Sequence, residues 1–182
     1  MRHVIKNFLS ASVALRLRDI AVNSRLESYA NAMSDSYQGV KNVGKSYGVM
    51  ESAKVASPSM ATHMESKLLA CPELAQYVSV VFPYAWSYAL YPKGASHDWH
   101  IDAYHSPTPQ PVRETCAYSA VVCLDSAGDA IGGDITFRHG DSPKLELGDC
   151  LVFDSSSLTN EHCVTPVVEG QSVTLNAYAH YI

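Results

Sequence analysis

Tyr118-Ser-Ala-Val-Val-Cys-Leu124 is an almost unbroken apolar run closed by Asp125-Ser126. A run of this length, β-branched at its centre and bounded by turn residues, predicts a strand buried on both faces. Working outward, further short strands are predicted at Tyr77–Phe82, Trp86–Tyr91, Asp134–Phe137 (after the Gly132-Gly133 turn), Lys144–Leu147, Cys150–Asp154, His162–Val168 and Val173–Tyr181. Short strands at such turn-punctuated spacing predict a β-sandwich or double-sheet barrel.

Upstream the pattern changes. His3–Leu9 reads as a short strand, and Ser10 or Ser12 offers an N-cap for a helix running to about Arg25. Val13, Leu17, Ile20 and Ala21 fall on one face of that helix, with Arg16, Arg18 and Asp19 mostly off it. Pro58 opens a second helix that carries Met60, Met64, Leu68 and Leu69 inward, and Pro72 breaks it. Between the helices, Ser28–Met50 is rich in Ser, Gly, Asn and Tyr and reads as loop or flap. Its Gly44-Lys45-Ser46 has the tail of a phosphate loop without the preceding strand, so no nucleotide site is expected. The expectation is one domain over 1–182, mainly β (α+β), with a helix-rich support at 1–76 packed on one sheet of a 77–182 core.

A chain of 182 residues, 47% apolar and 17% charged, has enough apolar material for a core without disulfides. Its net charge of -5 provides no general basic field, which argues against non-specific binding to nucleic acid or acidic membranes. No apolar run approaches the ~20 residues that span a bilayer, and Lys6 and Asn7 fall where a signal peptide needs its apolar stretch. Cys71, Cys116, Cys123, Cys150 and Cys163 form no C-x-x-C pair and read as free thiols in a reducing compartment. A cytoplasmic location is expected.

The chemistry is concentrated in His97-Asp98-Trp99-His100-Ile101-Asp102, answered later by His162. Residues i and i+2 of a strand share a face, so His100 and Asp102 can present an imidazole and a carboxylate to one ion. His162 begins another strand that a rolled sheet can bring opposite. Two histidines and one carboxylate occupy three positions of a six-coordinate iron(II) and leave the rest for a cosubstrate and O2. A second His-x-Asp, His139-Gly140-Asp141, contains glycine, lies between strands and reads as a turn.

The flanking residues extend the pattern. Tyr91-Pro92-x-Gly94, His100-x-Asp102, Tyr118–Asp125, Gly132-Gly133-x-x-x-Phe137, Leu147-Gly148-Asp149-x-Leu151-Val152-Phe153 and His162-x-x-x-Pro166-Val167-x-x-Gly170 come in that order. In this the sequence resembles the prolyl 4-hydroxylase-like branch of the iron(II)/2-oxoglutarate-dependent oxygenases, over about residues 88–180. The resemblance implies a double-stranded β-helix (jelly roll) with Fe(II) at its mouth, held by His100, Asp102 and His162. It implies a dioxygenase that couples decarboxylation of 2-oxoglutarate by O2 to hydroxylation of an unactivated C–H bond. By position Tyr91 and Cys123 would line the 2-oxoglutarate pocket, and no side-chain general base is required. Where the family carries Gly-x-Arg/Lys to pair with the far carboxylate of 2-oxoglutarate, this chain has Gly170-Gln171-Ser172.

Gln171 and Ser172 could donate neutral hydrogen bonds, weaker than charge-assisted ones by about a factor of two. Of the cations after residue 88 (Lys93, Arg113, Arg138 and Lys144), Arg138 lies nearest a core strand, although alternation turns it outward with Asp134 and Thr136. Three readings follow: a 2-oxoglutarate-dependent hydroxylase with an unusual anchor, an iron oxygenase with another oxo acid or none, and a metal-binding jelly roll without turnover. Pro107, Pro109 and Pro111 form an extended loop at the expected rim, and Tyr84, Trp86, Trp99 and Tyr104 supply aromatic surface nearby. A proline-containing peptide, a free amino acid and a small metabolite all fit as substrate and nucleic acid is disfavoured; the oligomeric state is left open.

Overall fold

Alternation along one long strand organises the molecule. In chain order the computed structural model contains β1 (Arg2–Ile5), α1 (Ala11–Asn23), β2 (Glu27–Ser28), β3 (Asn42–Val43), β4 (Ser46–Val49) and α2 (Pro58–Leu69). These are followed by β5 (Val80–Val81), β6 (Ser87–Pro92), β7 (Ser96–His100), β8 (Cys116–Cys123), β9 (Ala130–Ile131), β10 (Ile135–Phe137), β11 (Cys150–Asp154), β12 (His162–Val164) and β13 (Glu169–Tyr181). The structure describes residues 1–23, 27–28, 42–43, 46–49, 58–77, 80–81, 86–104 and 116–181. The proline-rich 106–111 loop with Arg113, Tyr84, and most of the glycine-rich 34–50 stretch lie outside the described residues.

The strands form two antiparallel sheets. The larger runs β1-β11-β8-β13-β6-β4-β2, with β5 and β9 also paired to β13; the smaller runs β10-β12-β7-β3. Val173, Leu175, Ala177 and Ala179 of β13 are buried in the main core with Phe8, Leu17, Met64, Leu68, Trp86 and Val122. The intervening Ser172, Thr174, Asn176 and Tyr178 line the cavity between the sheets. One period-2 pattern thus separates a helix-packed core from a polar interior. The result is a jelly roll with helices on the outer face of the larger sheet.

Both helices start where their caps predict. Ser10 precedes α1, its Oγ accepting from Val13 N–H at 3.4 Å, and Pro58 opens α2. Leu69, expected inward, is 55% exposed, because α2 ends there while Met64 and Leu68 fill the core. Lys144–Leu147 is not a strand. Its alternation is a true burial pattern, with Leu145 and Leu147 packed against the core clusters, but the segment is a connection crossing from the smaller sheet to the larger. The N-terminal region also supplies strands, β1 pairing with β11, β4 with β6 and β3 with β7. No helix among the described residues is long and apolar enough to cross a membrane.

Candidate metal centre and adjoining cavity

His162 opens β12 directly opposite His100 at the end of β7, so cross-strand pairing alone sets their rings 4.2 Å apart, centroid to centroid. Asp102 arrives differently from the expected i, i+2 strand geometry. β7 stops at His100, and Asp102 opens a 3₁₀ turn over Asp102–Tyr104. That turn is pinned to the larger sheet: Ala103 N–H donates to the Ser155 carbonyl at 3.1 Å, and Ser119 Oγ donates to Asp102 Oδ2 at 2.6 Å. Asp102 Oδ1 then lies 3.3 Å from His100 Nε2 and 3.8 Å from His162 Nε2. The three ligand atoms lie within 4.8 Å of one another.

The second nitrogen of each ring decides what the first can do. His100 Nδ1 is 2.8 Å from the Asp98 carbonyl oxygen, and His162 Nδ1 is 3.0 Å from that of Asn160. A carbonyl only accepts, so each Nδ1 carries the proton and each Nε2 turns its lone pair to the common point. This is the orientation that metal-binding imidazoles require. Phe137 and Phe153 wall His162, with ring centroids at 5.5 and 4.8 Å. Burial alone would raise the Asp102 carboxyl, but protons on the facing imidazole nitrogens, His162 ahead of His100, and the Ser119 hydroxyl outweigh it and hold the group far below the usual carboxylate range. A bound cation would displace those protons and act in the same direction. The donor set, two neutral imidazoles and one carboxylate on a single side of a cavity, fits a divalent iron.

His97 belongs to this site, although strict alternation sets it opposite His100. The register between β7 and β12 slips between His162 and Val164: His100 pairs with His162, but His97 pairs with Val164. Three steps on β7 answer two on β12, a β-bulge that turns His97 to the interior. Its ring stacks on His100 at 3.9 Å and 18°, and it lines the cavity. No sequence signal marks a bulge. If His97 positions the His100 ring, His97→Ala should weaken iron(II) binding by about 10-fold, the lower end for groups that orient a ligand. His97→Phe, which keeps the stack, should restore most of it; calorimetric titration with iron(II) distinguishes the two.

A cavity of about 830 Å³ runs from these histidines along β13. Register fixes its layout. Tyr178 sits beside Ser119 near the triad, Asn176 beside Val121, Thr174 beside Cys123, and Ser172 beside Tyr91 at the far end. Tyr91, Cys123 and Ser172 therefore line the cavity, and Gln171 does not. Burial pushes the Cys123 thiol up to about 11, which keeps it protonated near neutral pH.

The far end carries an acid. Asp125 lines the cavity, accepts from Ser172 Oγ at 2.7 Å and from Val173 N–H at 2.9 Å, and is reached by Arg18 Nε at 3.4 Å. Arg18 also pairs with Asp129 at 3.1 Å and donates to the Gln171 carbonyl. Expected to lie mostly off the helix's inner face, Arg18 is only 14% exposed and bridges α1 to the end of β8. Arg138 is not at the cavity. It pairs with Glu161 at 2.9 Å and lies 4.7 Å over the Trp99 ring, on the outward side that alternation assigns it. Among the described residues, Lys144 is the lysine or arginine on the cavity wall, carried there by the connection that was read as a strand. His139 and Asp141 are exposed, and neither joins a metal-binding group among the described residues.

No protein-family model and no curated protein matches this sequence. Solved structures do. A viral collagen prolyl hydroxylase from Paramecium bursaria Chlorella virus-1, in complex with 2-oxoglutarate, is 15% identical over 100% of this chain and 96% of its own, with a TM-score of 0.67. A Pseudomonas putida prolyl 4-hydroxylase is 17% identical over 100% and 92%, with a TM-score of 0.68. A Trichoplax adhaerens prolyl hydroxylase, in complex with a peptide from the oxygen degradation domain of hypoxia-inducible factor, is 16% identical over 98% and 83%, with a TM-score of 0.67. At these identities the likeness is one of fold, and it spans the whole chain.

Proposed function

We propose that the protein, whose fold is shared with the prolyl hydroxylases just described, is an iron(II)-dependent dioxygenase that uses 2-oxoglutarate and O2 to hydroxylate an unactivated C–H bond. The observation that carries this is the convergence of His100 Nε2, His162 Nε2 and Asp102 Oδ1, with both Nδ1 atoms tied to backbone carbonyls. These three residues would hold the iron. When bound, it supplies the activation of O2 that no side chain can provide. The chain's own work is to orient the imidazoles, with Phe137 and Phe153 packed against His162, to keep Asp102 ionised against Ser119, and to enclose the substrate carbon between Val121, Ile135, Val164 and the polar stripe of β13. The cavity suits a small molecule or one residue of a peptide. A prolyl peptide fits the same reading, since the Trichoplax relative was solved with a peptide fragment. We place the protein in a reducing, cytoplasmic setting, with Cys71, Cys123, Cys150 and Cys163 as thiols.

The fit of 2-oxoglutarate differs between its two ends. Its oxo-acid end would be held at the metal by the open side of the triad. Its far carboxylate would meet the hydroxyls of Tyr91, Ser172 and Thr174, with Asp125 behind them. Anaerobic protein with iron(II) and 2-oxoglutarate should show a weak visible charge-transfer band, and O2 should then release succinate. Iron binding without either result would favour an oxygenase using another oxo acid or none, the reading that Asp125 and Ser172 support. Ser172→Lys combined with Asp125→Asn should lower KM for 2-oxoglutarate by about 10-fold, since ionic hydrogen bonds are about twice as strong as neutral ones. An unchanged KM would move the anchor to Lys144, where Lys144→Ala would raise it.

A further inference from the structure

The iron triad is not the only convergent set of donors. His3, Cys71 and Glu73 bring an imidazole nitrogen, a thiol sulfur and a carboxylate oxygen within 4.8 Å of one another, and none of the three lines the cavity. Each side chain issues from backbone that is already fixed. His3 is paired with Val152 in the β1–β11 ladder. Cys71 N–H donates to the Leu68 carbonyl at 3.0 Å, and the Cys71 carbonyl accepts from Leu74 N–H at 3.0 Å. Pro72 begins a 3₁₀ turn over Pro72–Leu74, so Cys71 and Glu73 leave one rigid corner.

Cys71 Sγ lies 2.9 Å from Glu73 Oε2, and His3 Nε2 lies 3.7 Å from the same oxygen. Ligand atoms around one tetrahedral zinc, with bonds of about 2.0–2.3 Å, stand roughly 3.4–3.6 Å apart. Side-chain adjustments on the order of 1 Å, at His3 as well as at the exposed Glu73, would convert this cluster into a coordination sphere. Without metal the thiol donates to the carboxylate, and burial first, then Glu73, raises the Cys71 thiol.

We infer that His3, Cys71 and Glu73 form a second metal site, for a borderline-soft divalent cation of the zinc class, that clamps β1 to the turn after α2. Mixed N, S and O donors select such an ion over magnesium or calcium. On binding, Cys71 releases its proton to solvent, sulfur becomes a ligand, and water completes the sphere; no electron is transferred. The site lies outside the cavity, so its effect is on stability.

The test is an anaerobic titration of the full, reduced chain with cobalt(II). The iron triad contains no sulfur, so a thiolate-to-cobalt charge-transfer band reports the second site, and a further equivalent binds without one. Cys71→Ser should abolish the band and keep the other equivalent, and His3→Ala, which leaves the thiol in place, should weaken the site at least 10-fold. Zinc should raise the melting temperature of the wild type by more than that of Cys71→Ser, in which only the cavity triad remains to bind it. Absence of the band, a band that survives Cys71→Ser (as ligation by the cavity's Cys123 would produce), or a Kd weaker than about 1 mM would overturn the assignment.

Discussion

His100→Ala should abolish iron(II) binding and turnover while the chain stays folded. His100 contributes one of three converging ligand atoms, and its ring fills the space between His97 and His162. Removing a ligand must cost more than removing a group that only orients one, so affinity should fall by more than about 100-fold. The fold should survive, because the main core of Phe8, Leu17, Met64, Trp86, Val122 and Leu175 lies on the other side of the larger sheet. Circular dichroism with iron titration checks both halves. His162→Ala should behave alike, and an unfolded His100→Ala protein would make the cluster a structural element instead.

Asp149→Ala should be the most damaging change away from the site, costing about 3 kcal/mol through loss of hydrogen bonds to a buried carboxylate. The Asp149 side chain is 3% exposed. It accepts from Lys6 Nζ at 2.7 Å, from Asn7 N–H at 3.1 Å and from Glu146 N–H at 2.9 Å, locking the turn after β1 onto the turn before β11. The neighbouring Gly148, at φ +85°, lets the Leu9 carbonyl approach where a Cβ would collide with it. Lys6 is half-exposed, so its ion pair adds little; the two part-buried backbone donors left without an acceptor set the cost. In a chain of this size the loss corresponds to a melting temperature lower by about 6–12 °C.

The same carboxylate predicts a pH dependence. Burial by itself raises Asp149, but Lys6 and the Glu146 and Asn7 amides hold it below its ordinary value. A carboxylate whose folded pKa is depressed contributes stability above its unfolded pKa of about 3.9 and loses it as pH falls through the folded value. Wild type should therefore lose stability on acidification from pH 5, and Asp149→Asn should lose less. Urea melts at stepped pH measure the difference. Equal slopes in the two proteins would remove Asp149 as the source.

Most of the strands and the two-sheet β class were legible in the sequence because they depend on local pattern, whereas the jelly roll and the grouping of His100, Asp102 and His162 followed from the resemblance of ordered motifs along the chain. Tyr118–Leu124 is a strand to Cys123, buried on the core face while Val121 and Cys123 on the other face line the cavity, and Cys150–Asp154 is a strand with the expected limits. Lys144–Leu147 shows the limit of that reasoning, since alternation reports which side chains are buried and not whether a partner strand supplies hydrogen bonds.

The sequence by itself determined that a two-sheet β-core would form, because periodicity is carried by neighbours along the chain, and it marked His100, Asp102 and His162 as candidate ligands by donor type and by resemblance, a set the fold brings within 4.8 Å. Tertiary structure alone decided how Asp102 reaches the histidines, through a 3₁₀ turn held by Ser119, and that a bulge brings in His97. It also set Arg18 against Asp125, Lys144 on the cavity wall, and His3 beside Cys71 and Glu73. The physical reason is common to all of these. Each is a contact between residues far apart in sequence, and only sheet register and loop path bring their side chains together.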